Sequence, residues 1–289
     1  MPNRLYKILL ILGITACFLV IPVFWTQYEA KTELEVDFLD VGQGDSILIK
    51  TPFGQNVLID GGEDNSVIRE LSKNLPWFDR TIDLMILSHP HGDHVDGLNE
   101  VIKRYQVKKI LYTGVVYSTP GYIAWLELIR DNKIPLSIID RPQKITLGQE
   151  CYLDIMYPLK NLLGQEVNNL NNSSIVVKLV YKDIKYLFVG DAETEVEKEL
   201  LNIQADLSAQ VLKVGHHGSD TSSSEEFLEA VNSKIAVISV GKDNSFGHPS
   251  RRIIKRLERL GVQIFRTDEL GTIKIASNGE NIEIVDKNQ

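Results

Sequence analysis

A chain of 289 residues with 43% hydrophobic residues, 20 glycines and 10 prolines is long enough to bury a large core, and its composition excludes a disordered or fibrous protein. Its formal net charge of −8 argues against tight non-specific nucleic-acid binding by the molecule as a whole, because phosphate neutralisation supplies most of that affinity; only local basic patches remain for such a role. The two cysteines, Cys17 and Cys151, lie far apart, so neither an intrachain disulfide nor a zinc-thiolate site is expected.

The chain opens with Arg4 and Lys7 ahead of an uncharged apolar run over 8–25, and Glu29 and Glu33 follow it. This predicts a membrane segment over 1–30 with the N-terminus inside, and one catalytic domain over 31–289 outside the cytoplasm. No small-residue cleavage site is evident, so the reading is an uncleaved single-pass anchor. The alternative is a lipoprotein modified at Cys17 in Ile14-Thr15-Ala16-Cys17.

Beyond that segment, alternation predicts strands over 34–38, 46–50 and 56–60, a helix over 66–75, a strand over 83–87 and a helix over 95–105. A strand at 109–112, a helix at 122–130 and short strands at 136–139 and 152–156 come next. Two apolar strands over 174–181 and 184–189 lead into a helix at 193–201. A strand at 210–214, a helix at 224–231, a strand at 235–240 and a helix at 250–260 follow, and short strands at 263–266, 272–276 and 282–285 close the chain. Two strand-rich stretches, each followed by helices, predict an α/β/β/α sandwich.

Chemistry concentrates after the predicted strands. His89-Pro90-His91-Gly92-Asp93-His94-Val95 places three of the six histidines and a carboxylate within six positions behind the apolar run Leu84-Met85-Ile86-Leu87. Nitrogen donors plus one oxygen suit Zn or Mn. His89 and His91 can point one way from an extended loop while Asp93 and His94 face a neighbouring ion. Two close dications need a bridging anion, for which Asp191 is the candidate, and His216 or His217 completes the second ion. Arg251, Arg252, Lys255, Arg256 and Arg259 fall on one predicted helix and read as a solvated face, with a nucleic-acid patch as the alternative.

Taken together, FLDVGQGDS from Phe38 to Ser46, LIDGG from Leu58 to Gly62, the His89 to His94 loop, NNSS from Asn171 to Ser174, VGDA from Val189 to Ala192, KVGHHGS from Lys213 to Ser219 and GHP from Gly247 to Pro249 resemble the metallo-β-lactamase superfamily. The likeness is greater still to the hydrolase domain of ComEC-type competence proteins. The resemblance implies an αββα fold, a one- or two-metal hydrolytic site and cleavage of nucleic-acid phosphodiesters outside the cell by a metal-activated water. His89 and His91 would hold the first metal, and Asp93 and His94 the second. Asp191 would bridge, and His216 or His217 would close the second site. Asp93 would orient the water, while His248 and the non-ligand member of the His216/His217 pair would donate a proton or bind a substrate oxygen. Many superfamily members supply another histidine before the bridging Asp, where this chain has Asn171, Asn172, Ser173 and Ser174; amide oxygens favour harder ions, which brings in Mn beside Zn. Asn171, Asn172, Ser174 and Ser219 are candidate substrate or first-site contacts. The alternatives are hydrolysis of a small cell-envelope phosphodiester, a carbon ester or a lactam, or a non-catalytic metal-stabilised binding component of a DNA-uptake system. Any uptake role would need separate channel proteins.

Overall fold

The computed structural model describes residues 33–285. The first half of the chain builds β1 (Leu34–Phe38), β2 (Ile47–Lys50), β3 (Asn56–Ile59), α1 (Ser66–Asn74), β4 (Thr81–Ile82), β5 (Leu84–Ile86), α2 (Gly92–Arg104), β6 (Gln106–Val107), β7 (Ile110–Tyr112), α3 (Pro120–Asp131) and β8 (Leu136–Ile138). The second half builds β9 (Gln143–Gly148), β10 (Cys151–Tyr157), β11 (Val176–Tyr181), β12 (Ile184–Phe188), α4 (Thr194–Asn202), β13 (Val211–Lys213), α5 (Glu225–Val231), β14 (Ile235–Ile238), α6 (Arg251–Arg259), β15 (Gln263–Arg266) and α7 (Thr267–Leu270). A closing hairpin, β16 (Ile273–Ser277) and β17 (Ile282–Val285), returns to the first sheet beside β1.

One sheet runs β17-β16-β1-β2-β3-β5-β7-β8 and the other β15-β14-β13-β12-β11-β10-β9, while β4 and β6 pair separately. Each large sheet is antiparallel on one side and parallel on the other: β3, β5, β7 and β8 are parallel in the first, and β12 to β15 in the second. Inward side chains of both sheets form one shared core, with Phe38 and Phe188 meeting across it at 6.1 Å between ring centroids. A second apolar layer joins the first sheet to α1, α2 and α3, and a third joins the second sheet to α4, α5 and α6. The four layers follow from burial. Short β5, β13 and β14 are buried along their whole length, as parallel strands covered on both faces must be.

The structure departs from the sequence reading at several points. α2 begins at Gly92 instead of residue 95, so Asp93 and His94 sit in a first helical turn, where the positive end of the helix dipole favours the Asp93 carboxylate. β9 was not foreseen, because a mostly exposed strand at a sheet edge needs little apolar surface. The expected single-pass membrane placement, with its extracytoplasmic domain and lipoprotein alternative, is corrected: no helix among the described residues is long and apolar enough to cross a membrane, and the run over 8–25 lies outside the described residues.

Candidate metal centre

The parallel strands of both sheets end at one edge, and the loops beyond them carry the chemistry. β3 delivers Asp60, β5 delivers Ser88 and His89 with His91 and the first turn of α2 behind them, β12 delivers Asp191, and β13 delivers His216 and His217. Asp93, His94, Asp191 and His217 each present a ligand atom, and these atoms all lie within 4.8 Å of one another. The Asp191 Oδ2 atom stands 3.3 Å from His94 Nε2, 3.4 Å from His217 Nε2 and 3.9 Å from both His89 Nε2 and His216 Nε2.

The back of each imidazole is fixed by an acceptor. His94 Nδ1 donates to Asp60 Oδ2 at 2.9 Å, and His217 Nδ1 donates to the Ser239 carbonyl at 2.8 Å. His89 Nδ1 donates to Ser88 Oγ at 3.1 Å, whose own hydroxyl donates to Asp60 Oδ2 at 2.6 Å. His216 Nδ1 donates to Thr221 Oγ1 at 3.0 Å, which donates onward to Glu193 Oε1 at 3.0 Å. With these four Nδ1 atoms committed, His94 and His217 turn their Nε2 lone pairs inward toward an ion. The fit to a metal shows in what is left over: His94 Nε2, His217 Nε2, Asp191 Oδ1 and Asn171 Oδ1 are buried polar atoms with no hydrogen-bond partner, a costly state that a cation relieves. The cluster is suited to one or two metal ions.

The electrostatics agree. Burial disfavours charge on His94 and His217, yet the surrounding carboxylates, Asp191 foremost, outweigh it; the His94 pKa rises well above the usual imidazole range and that of His217 to about 9. Burial likewise opposes ionisation of Asp93 and Asp191, but His94 and His217 hold both carboxyls well below the usual range. The centre is therefore built for positive charge. His89 moves the other way, well below the usual range, through burial and the neighbouring His94, and His91 and His216 are also lowered by burial.

The first-metal group is looser. His89 Nε2 and His91 Nδ1 approach to 2.9 Å, but they form no compact group with Asp191. Asn171 stands on this side, its Nδ2 at 3.4 Å from His216 Nε2 and 3.0 Å from Glu193 Oε1. The adjacent histidines thus part company: His217 is buried beside Asp93, whereas His216 is partly exposed and belongs to the Glu193, Thr221 and Asn171 network. Both take left-handed backbone angles, φ 48° and 52°, which non-glycine residues adopt at a cost of about 1–2 kcal/mol each. That twist sends the two rings to different sides.

His248 sits at the rim, half-buried, 5.7 Å from the His216 ring, with its pKa lowered by burial and by His216. Three candidates brace the site without facing it. Ser174 Oγ accepts the Asp191 N–H at 3.1 Å, Asn172 Oδ1 accepts the Glu193 N–H at 3.0 Å, and Ser219 Oγ pairs with Thr221 Oγ1 at 3.1 Å. Sequence reasoning missed Asp60, Glu193 and the buried pair Lys213–Asp45. Lys213 is wholly buried, bonded to Asp45, 3.4 Å from the Gly190 carbonyl and 4.0 Å from Asp191 Oδ1. A lysine closing the buried strand Val211–Lys213 was the available signal. Beside His91 opens a cleft of about 540 Å³ lined by Tyr117, Ser118, Glu166, Asn168 and Asn169.

Residues 39–242 match the family model described as metallo-beta-lactamase superfamily. Among curated proteins the chain is 29% identical over 266 residues to ComE operon protein 3 of Bacillus subtilis, covering 84% of this chain and 33% of that one. It is 28% identical over 248 residues to competence protein ComA of Neisseria gonorrhoeae, covering 84% and 32%. The chain thus spans about a third of the length of these relatives. Among solved structures, CmlA, a diiron beta-hydroxylase from Streptomyces venezuelae, shares the fold with a TM-score of 0.53 at 13% identity, over 81% of this chain and 52% of that one.

Proposed function

The chain belongs to the metallo-beta-lactamase superfamily, and from that premise we propose that it is a metal-dependent hydrolase of phosphodiesters that cleaves DNA. The observation that carries this reading is the quartet Asp93, His94, Asp191 and His217, with its inward, hydrogen-bond-free Nε2 atoms. Zn or Mn held there would lower the pKa of water and stabilise charge on the attacked and leaving oxygens. Asp93, held ionised by the imidazoles beside it, would orient the attacking water. His248 is held by Asn244, whose side chain bonds both its N–H and its carbonyl, at 3.0 and 2.7 Å. Its lowered pKa keeps it neutral, so it serves by donating a hydrogen bond to a substrate oxygen. His216, Asn171 and the cleft beside His91 contact the flanking substrate.

DNA as the substrate is supported by the relatives, one of them a competence protein by name. Passage of DNA would fall to separate channel proteins. A second reading, hydrolysis of a small cell-envelope ester, is favoured by the net charge of −8 and by Glu166 in the cleft.

The test incubates the purified chain and added Mn or Zn with single- and double-stranded DNA and with bis(p-nitrophenyl) phosphate. Both substrate types should be cleaved. His217→Ala should lower turnover and metal content by more than about a hundredfold, beyond what loss of a supporting partner costs, and His216→Ala by about tenfold. Cleavage of the small ester alone overturns the nuclease reading. Inertness toward every substrate with metal bound overturns catalysis and leaves a binding component.

A further inference from the structure

The basic helix α6, which composition alone reads as a solvated face, abuts the metal centre. The Ser250 N–H donates to the Gly218 carbonyl at 2.9 Å, and Pro249 packs so closely that a Cβ on Gly218 would lie 2.6 Å from it. The start of α6 is therefore fixed against the turn that carries His216 and His217. Its cations divide into two sets. Arg256 bonds the Ser223 carbonyl and Arg259 pairs with Glu225 at 3.3 Å, so both are used in holding α6 to α5. Arg251, Arg252 and Lys255 are exposed, as is Lys242 in the preceding loop, and none of the four side chains has a hydrogen-bond or ion-pair partner among the described residues.

Phe246 lies between Lys242 and these arginines along the chain and is 66% exposed. Its ring stacks on the His248 imidazole at 5.8 Å with 16° between the planes, and His248 in turn lies 5.7 Å from His216. The loop is closed by Asn244, whose Nδ2 donates to the carbonyls of both Gly241, at 3.0 Å, and His248, at 2.7 Å. A line of rings thus leads from the metal centre to solvent and ends in a braced aromatic face whose loop and following helix carry exposed cations. A lone exposed apolar side chain is ordinary. One stacked on a site histidine, with unpaired cations before and after it along the chain, matches a ligand that alternates flat rings with anions.

We propose that this surface binds single-stranded nucleic acid, with one base stacked on Phe246 and the neighbouring phosphates on Lys242, Arg251, Arg252 and Lys255, so that the next phosphodiester enters the metal centre past His248. The inference rests on the nuclease reading above and narrows it. A duplex keeps its bases stacked on one another and offers this surface only phosphates, whereas a single strand can use both kinds of contact. The local patch also resolves how a chain with net charge −8 can hold a polyanion.

The test measures fluorescence anisotropy of labelled phosphorothioate oligothymidine, an abasic strand of equal length and a duplex, each titrated with the full chain across a salt series. The single strand should bind roughly tenfold more tightly than the other two, and Phe246→Ala should remove that margin, whereas Phe246→Tyr keeps it. The double variant Arg251→Gln, Arg252→Gln should flatten the slope of log K against log salt by roughly 1.4, from two lost phosphate contacts to a single strand. Equal affinity for single strand and duplex, or Phe246→Ala binding within about twofold of the native chain, overturns the proposal. The two readings fail separately: single-strand binding of this pattern with no strand cleaved upholds the surface and removes the nuclease, and cleavage that is indifferent to Phe246 does the reverse.

Discussion

A neutral imidazole binds a metal ion and a protonated one does not, so the pKa values in the centre decide how metal and protons compete. His217, with its pKa raised to about 9 against an ordinary 6.5, is protonated at neutral pH when no metal is bound. A group whose pKa is raised on folding stabilises the fold fully below its unfolded pKa and loses that contribution as pH climbs through the folded value. The metal-free protein should therefore lose melting temperature between pH 6.5 and 9. Over the same window the gain in melting temperature on adding Zn or Mn should grow, because fewer protons must be displaced. Asp93 and Asp191, depressed by the same imidazoles, lose their contribution only in acid and leave this window untouched. Scanning calorimetry at several pH values, with and without metal, checks this, and a metal-free melting temperature that rises toward pH 9 would show the assignment to be wrong. His217→Ala should flatten the metal-free trend.

At the scale of elements, close approach sets the geometry. Gly44, at φ 111°, lies so near the start of α2 that a Cβ there would come within 1.9 Å of the Asp93 carbonyl oxygen, and the Asp45 N–H donates to that same oxygen at 3.3 Å. Gly44→Ala should thus cost about 3 kcal/mol, overpacking added to a disfavoured backbone, and displace Asp93 from the metal. Gly54, also left-handed at φ 78° but with nothing within 4 Å, is the control, and its replacement by Ala should cost about 1 kcal/mol and leave metal affinity alone. Urea denaturation and a metal titration separate the two. Much of this level was legible in advance. Strands such as Leu34–Phe38 declare themselves by alternation, and the histidine loop by donor density behind an apolar run. What escaped was long-range: Lys213 meets Asp45 and His94 meets Asp60 only after two loops from distant parts of the chain have docked. No local pattern encodes which of two adjacent histidines turns inward, because left-handed backbone at both sets it.

For the whole molecule, the metal centre joins two halves that are otherwise held by apolar contact and by a few polar links such as Lys213–Asp45. Asp93 and His94 follow β5 of the first sheet, while Asp191 and His217 follow β12 and β13 of the second, so an ion in the quartet would tie the edge of one sheet to the edge of the other. The folded chain presents the four donors together and the unfolded chain does not, so occupancy stabilises the fold by about 2.7 kcal/mol at a metal concentration one hundred times Kd. For a domain of this size that corresponds to roughly 5–10 °C in melting temperature. Chelation should remove the increment, and readdition of Mn or Zn should restore it in proportion to the logarithm of concentration. Because the ion needs donors from both sheets, His94→Ala and His217→Ala should each abolish the same increment, and the double variant should lose no more than either. A metal response that survives one of these substitutions at full size would mean that the ion is held by one sheet alone.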